Sequence, residues 1–204
     1  MLLFLDLISP LPEFSVIEEN KLIISKKIYE NTEEKLSDNI FKTYLELEKN
    51  LNLSKIITKL CVTLGPGSYT SLRVGSAFLS GLKISNNLLF SPLTIMDILN
   101  FKCRKIKINS TAVYVNSSNH QNFFCWTDDN GKIKFKKIEK NNIIIPNNIN
   151  TIFFNEKKMN LKNNLISQFK FSFLKEVTKN NQELVFKKNI SIQPIYISNN
   201  KVLN

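Results

Sequence analysis

The residues of this sequence best suited to chemistry are the loop Gly65-Pro66-Gly67-Ser68, the acid Asp6 and the lone histidine His120. A glycine-rich loop that opens a helix can hold phosphate, because the first backbone N–H groups of the helix lack internal partners and point at the anion. Gly65, Gly67 and Ser68 are therefore the candidate cofactor-binding loop. Neither Lys-Ser nor Lys-Thr follows, as a P-loop requires, and the third glycine of a dinucleotide fingerprint is missing. A plain structural turn is the simpler reading, since two glycines around a proline mark a tight turn. Asp6, near a strand end, would point at whatever site its sheet serves, and alone it is an ordinary edge-of-sheet acid. His120 closes the polar stretch Asn116-Ser117-Ser118-Asn119-His120 between two strand candidates, where an exposed loop position is expected. One histidine cannot build a His-x-x-x-His metal site. Cys61, Cys103 and Cys125 are odd in number, far apart and free of any Cys-x-x-Cys, which argues against a disulfide framework and against zinc. Ser68 and Thr70 have no neighbouring base. The sequence thus predicts no catalytic residue and no metal site.

The loop must be held by a strand before it and a helix after it. Cys61, Val62 and Leu64 sit in a β-favouring run, and Ser68 or Thr70 can cap the helix that follows. On that helix Arg73, Ser76, Ser80 and Lys83 are spaced by three, four and three and form one narrow polar stripe. Nearly every other position to Ile84 is apolar or small. Such a helix hides most of its circumference, so it packs on its own sheet and on something else. Ala77 with Gly81, and Ser76 with Ser80, are small residues one turn apart that permit close helix–helix approach; a central core helix is the competing reading.

Ahead of this unit, Leu2 to Leu7, Phe14 to Ile17 and Leu22 to Ile28 read as three strands of an antiparallel meander. Thr32, Glu33 and Glu34 make a helix start, since acids suit the positive end of the helix dipole. Leu36, Ile40, Tyr44, Leu47 and Leu51 then form one apolar seam, and Phe41 with Leu45 adds a second flank. Ser91-Pro92-Leu93 closes the first half. In the second half, Ala112 to Val115, Asn122 to Thr127, Lys132 to Ile138 and Thr151 to Phe154 read as strands and Leu161 to Phe169 as a helix. Asp129-Asn130-Gly131 suits a tight hairpin. Asn-rich joints at 141–142, 147–150 and 180–181 read as loops. There is no internal repeat at a fixed short period.

A length of 204 residues allows one domain or two small lobes. No apolar run approaches membrane-spanning length, and the opening MLLFLDLISP has no basic residue before its short apolar run, so no signal peptide and a cytoplasmic location are expected. The net charge of +11 is unevenly placed: residues 1–100 carry −1 and residues 101–204 carry +12. Such asymmetry suggests contact with a polyanion, although only Arg73 and Arg104 are arginines and a lysine-rich solvated surface is the competing reading.

Strand, strand, strand, helix, strand, helix is the order of the ribonuclease-H-like half-domain that builds actin-like and sugar-kinase-like folds. Here LGPGSYTSLRVG, from Leu64 to Gly75, is very similar to the GPGSFTGLRIG signature of the TsaB family. The opening strand with Asp6 resembles that family's start. Ser37 matches the second residue of a His-Ser pair common there, with Leu36 in place of the histidine, and Ser91-Pro92-Leu93 with the following helix fits as well. The resemblance covers residues 1–100. Beyond it, Asn116-Ser117-Ser118 replaces the family's Asp-Ala-Arg, and Pro194-Ile195-Tyr196 resembles its Pro-x-Tyr ending with Ser198 in place of the usual arginine.

The resemblance implies an α/β protein of two ribonuclease-H-like lobes: 1–100 with the glycine loop and interface helices, and a reduced, basic 101–204. It implies a non-catalytic subunit that binds and activates a TsaD-like transferase, which makes threonylcarbamoyladenosine in tRNAs reading codons that start with A. ATP and a metal ion would belong to the partner, with no cofactor in this chain. A TsaE-like ATPase would be a further partner, and tRNA would be met through the complex; separately, the wide apolar faces leave a homodimer of the free chain through the same helices open. Leu36, Ile40, Tyr44, Leu72, Gly75, Ser76, Leu79 and Lys83 are expected at or near the four-helix interface. The competing function is a stand-alone nucleotide- or RNA-binding protein of the actin-like superfamily.

Overall fold

The computed structural model of the chain describes residues 1–31, 33–104, 107–117, 121–138, 144–161, 165–188, 190–198 and 201–203. The expected meander is present: β1 (Leu2–Asp6) pairs antiparallel with β2 (Glu13–Glu18), which pairs antiparallel with β3 (Lys21–Lys27). Two crossovers add parallel strands on the other side of β1. The first passes through α1 (Leu36–Leu51) and the single turn α2 (Leu53–Ile56) to β4 (Lys59–Thr63). The second passes through α3 (Tyr69–Asn86) to β5 (Leu89–Leu93), which carries Pro92 at the sheet edge, where a missing N–H is tolerated. The sheet order is β3-β2-β1-β4-β5. β1 is apolar on both faces because both are covered: Leu3 and Leu5 join the core beneath α1 and α3, and Leu2 and Phe4 join the core on the opposite side.

The second lobe repeats this plan. β6 (Thr111–Asn116), β7 (Asn122–Thr127) and β8 (Ile133–Ile138) form a meander, and β9 (Thr151–Phe154) and β10 (Ser167–Lys170) lie parallel beyond β6, giving the order β8-β7-β6-β9-β10. No helix fills either crossover among the described residues. Short loops seal the outer face instead, with Ile149 and Met159 packed on Ala112, Tyr114, Phe124 and Ile152. In this sense the second lobe is reduced. α4 (Ile95–Lys102) follows β5 and spans the expected junction of the halves; α5 (Phe173–Asn180) follows β10. Both lie between the sheets. Ile98, Leu99, Phe173 and Val177 share one core with Phe4 and Cys61 of the first sheet and Val113, Val115 and Cys125 of the second.

Three local expectations are corrected. α1 begins at Leu36, not at the acids before it. Asn31 accepts the N–H of Glu33 on its side chain and that of Glu34 on its carbonyl, and this turn keeps the chain non-helical until Lys35, which is extended. Thr32 lies outside the described residues. Ser68 occupies the flanking position of α3, but its hydroxyl makes no capping bond to the helix. The helix expected over Leu161 to Phe169 is instead, in its second half, strand β10. Gln168 bonds both the N–H and the carbonyl of Met159, and Phe169 meets the ring of Phe153 at 5.9 Å, contacts a strand can make alternately to its two faces. The helix comes later, at Phe173, where the Ser172 hydroxyl accepts from Lys175 N–H.

Candidate functional site

The glycine loop is a junction of three segments. Gly65 has φ +117, and a Cβ there would stand 2.6 Å from the carbonyl oxygen of Ile195. Ile195 N–H in turn donates to Leu64 O at 2.7 Å, so the end of the chain lies across the loop. Ser68 N–H donates to the Ser117 hydroxyl of the second lobe at 3.0 Å. A Cβ on Gly67 would meet that same hydroxyl at 3.3 Å and Ile8 at 3.5 Å. Gly65, Gly67 and Ser68 are the sequence's candidates for holding a nucleotide phosphate. The residues present do not fit one: the Ser68 amide is taken, and the approach to Gly65 is filled by Ile195.

The two wide helices lie side by side on the first sheet, with the rings of Tyr44 and Phe78 meeting edge-on at 5.4 Å. The structure decides which flank is inward. Leu36, Ile40 and Tyr44 of α1 are buried, as are Leu72, Gly75, Ser76 and Leu79 of α3. Gly75 is inward by necessity, since a Cβ there would fall 2.4 Å from both methyl groups of Leu7. Lys83 is half-buried and donates to the carbonyl of Ile190 at 2.5 Å, beneath the C-terminal segment. Seven of the eight expected interface residues are thus packed within the chain and Lys83 is half-buried, and a bulky residue at Gly75 or Ser76 would disturb the fold itself. Both flanks of each helix are apolar, and periodicity gives the width of a face without its direction.

The outward flank is the other one. Phe41 and Leu45 of α1 are 58% and 47% exposed, and Ile84 of α3 is 82% exposed. Ala77 and Gly81 are exposed between them, and a Cβ on Gly81 would meet nothing within 4 Å. Arg73 is also outward, 5.0 Å over the ring of Tyr69. Phe41, Leu45, Ala77 and Gly81 are legible in the sequence as a second flank and as small residues at helical spacing.

Between the lobes, at the carboxyl ends of the parallel strands, lies an open cleft of about 1130 Å³. Asp6 and Glu13 line one wall. Asp6 is buried and accepts from Ile8 N–H, Ser9 N–H, the Ser9 hydroxyl and the Thr63 hydroxyl. Burial pushes its carboxyl above the ordinary value of 3.8, against the opposing pull of these bonds. Burial likewise raises Glu13, helped by the nearby Asp6 charge. Asn116 of β6 stands where Asp6 stands in the first lobe. Its N–H donates to Asn155 Oδ1, its carbonyl accepts from Asn155 Nδ2, and its own Oδ1 accepts from Lys157 N–H. Among the described residues, no group of three His, Cys, Asp or Glu side chains is placed to hold a metal ion. His120, with Ser118 and Asn119, lies outside the described residues.

Two lobes of one topology, each a meander extended by parallel strands, with a cleft at the strand ends, define a ribonuclease-H-like, actin-like protein. The family model for TsaD, tRNA N6-adenosine threonylcarbamoyltransferase, matches residues 23–200. Among solved structures, YeaZ from Pseudomonas aeruginosa aligns over 96% of this chain and 99% of its own, with 13% identity and a TM-score of 0.57. A protein described as similar to peptidase YeaZ, also from Pseudomonas aeruginosa, aligns over 97% and 99%, with 13% identity and a TM-score of 0.61. A search of curated proteins finds no match. The chain belongs to the TsaD family, and its LGPGSYTSLRVG loop sets it with the TsaB members. Its place is thus in the threonylcarbamoyladenosine tRNA-modification family. No described helix is long and apolar enough to cross a membrane.

Proposed function

We propose that this chain is a non-catalytic scaffold that binds and activates a TsaD-like transferase through the outward flanks of α1 and α3. The observation that carries the reading is the exposed apolar face of Phe41, Leu45 and Ile84 around the small residues Ala77 and Gly81. Exposed apolar groups clustered on two adjacent helices mark an association surface, and a glycine and an alanine one turn apart let a partner helix come close. The state of the cleft supports the non-catalytic half. Asp6 already accepts four hydrogen bonds from its own lobe, so most of its capacity to accept is taken up within the chain. ATP and metal chemistry then belong to the partner. A TsaE-like ATPase would join the assembled pair, in the cytoplasm, and a homodimer of the free chain would use the same flank.

The test is size-exclusion chromatography with light scattering, on the chain alone and with the TsaD-like protein of the same genome. Gly81→Trp and Ala77→Trp place bulk where the chain has open space, so they keep the free fold. The expected result is a stoichiometric complex with the wild-type chain and none with either variant. A complex of undiminished strength with both variants would put the interface elsewhere.

A further inference from the structure

The first lobe accounts for the helix pair, but the excess positive charge of the second lobe has no part in it. We propose that the second-lobe wall of the cleft binds a strand of RNA through Lys157, Lys158, Lys170 and Lys175. This rests on the reading of the chain as part of a tRNA-modifying assembly.

Three segments bring these lysines to one cavity: the turn after β9, the end of β10 and the first turn of α5, and all four line the cleft. All four are exposed. The backbone beneath the first two is fixed, since Asn155 clamps Asn116 from both sides and Lys157 N–H is held by Asn116 Oδ1. Lys157, Lys158 and Lys175 have no carboxylate within ion-pair distance among the described residues, and Lys170 meets Glu156 at 3.9 Å, a loose exposed contact. The facing wall carries the acids Asp6, Glu13 and Glu33 and the base Lys27, with Asp6 buried and engaged by four hydrogen bonds within its own lobe. Asn160 lines the same space with an exposed amide, and Asn122, whose Oδ1 accepts from Asn116 Nδ2, offers its amide N–H groups to base edges. The location is the crevice outside the carboxyl ends of parallel strands, where open α/β sheets receive ligands. The cleft is open and of about 1130 Å³, so a chain of nucleotides can enter and leave it along its length. Lysines spaced around an open groove neutralise successive phosphates without reading sequence.

Fluorescence anisotropy with labelled, unmodified tRNA tests this, using the full chain at several salt concentrations. The wild-type chain is expected to bind with a steep salt dependence. The variant K157E/K158E/K170E/K175E is expected to bind at least tenfold more weakly at about 100 mM salt, and its salt slope should fall by about 3, at about 0.7 for each phosphate no longer neutralised. The variant K134E/K136E, on β8, should bind as wild type does. Equal weakening in both variants would mean a diffuse lysine surface and overturn the proposal. So would absence of binding at low salt, or full displacement of tRNA by equimolar ATP, which would make the cleft a mononucleotide site. Chromatography with the TsaD-like partner separates the two readings. Retained complex with abolished RNA binding supports the cleft, whereas an abolished complex with intact RNA binding removes the scaffold reading alone.

Discussion

Two glycines six positions apart on one helix give opposite predictions for the same substitution. At Gly81, alanine meets no atom within 4 Å, so only backbone propensity changes. The expected effect is a stabilisation of about 1 kcal/mol, the usual helix advantage of alanine over glycine. At Gly75, the new methyl would stand 2.4 Å from two carbons of Leu7, a side chain with no exposed surface. Overpacking of a filled core costs roughly 1–3 kcal/mol. Offset by the same propensity gain, Gly75→Ala should destabilise by about 1 kcal/mol, so the two variants differ by about 2 kcal/mol. Urea unfolding of the free chain measures both, with unchanged slopes required for the comparison. Leu7→Ala supplies the control. It makes room for the methyl, so Gly75→Ala should turn from harmful to helpful in that background, a coupling that a double-mutant cycle reads directly. Equal stabilisation by both glycine substitutions would refute the seating of α3 on β1, and with it the assignment of the outward flank to the partner.

The remaining expectations concern buried polar groups. Asp6 titrates above the ordinary 3.8 in the folded chain, so the native state keeps its proton longer than the unfolded state does. The neutral acid's contribution is complete below the unfolded value and is lost as pH rises through the folded one. Asp6→Asn should therefore flatten urea midpoints measured from about pH 4 upward, and a wild-type decline that persists in this variant would place its source elsewhere. Asn155→Ala should cost about 1–3 kcal/mol by leaving the buried N–H and carbonyl of Asn116 unpaired, as seen by thermal or urea unfolding, while a cost below a few tenths would mean other groups satisfy them. The buried hydroxyl of Ser76 has no partner among the described residues, so Ser76→Ala should stabilise by about 1 kcal/mol in the same assay, and a clear destabilisation would reveal a hidden bond.

Much of this architecture is legible in the sequence because strands carry their signal locally. The meander of β1 to β3, the strand into the glycine loop and the hairpin at Gly131 follow from apolar runs and turn residues. Direction is not legible. The stripe Arg73, Ser76, Ser80 and Lys83 looks uniform on paper, yet its members have different fates. Arg73 lies outside on Tyr69, Ser76 is buried, Ser80 donates back to Ser76 O, and Lys83 reaches Ile190, 107 residues away. Only the fold brings that last partner near. β10 reads as helix because Leu161, Leu165 and Ile166 mimic helical spacing, while the bonds from Gln168 to Met159 that favour a strand are tertiary. The repeated topology leaves no sequence period to detect, because the second lobe keeps the strand plan with no helix in its crossovers among the described residues.

This difference between the lobes bears on how the molecule divides its tasks. In the first lobe, α1 and α3 cover the sheet and then present a second apolar flank outward. In the second lobe, loops with Ile149 and Met159 cover the equivalent face, so no comparable helical surface stands there among the described residues. The helix-to-helix association proposed above would fall on the lobe that is nearly neutral, with a net charge of −1, where apolar contact meets little like-charge repulsion. The charge of +12 is gathered on the lobe without that surface. The four cleft lysines and the exposed flank of α1 and α3 belong to different lobes and different segments, so occupying one leaves the other open. A protein partner and a polyanion could then be held at the same time, and binding of the partner should leave the salt dependence of RNA binding by this chain's own lysines unchanged.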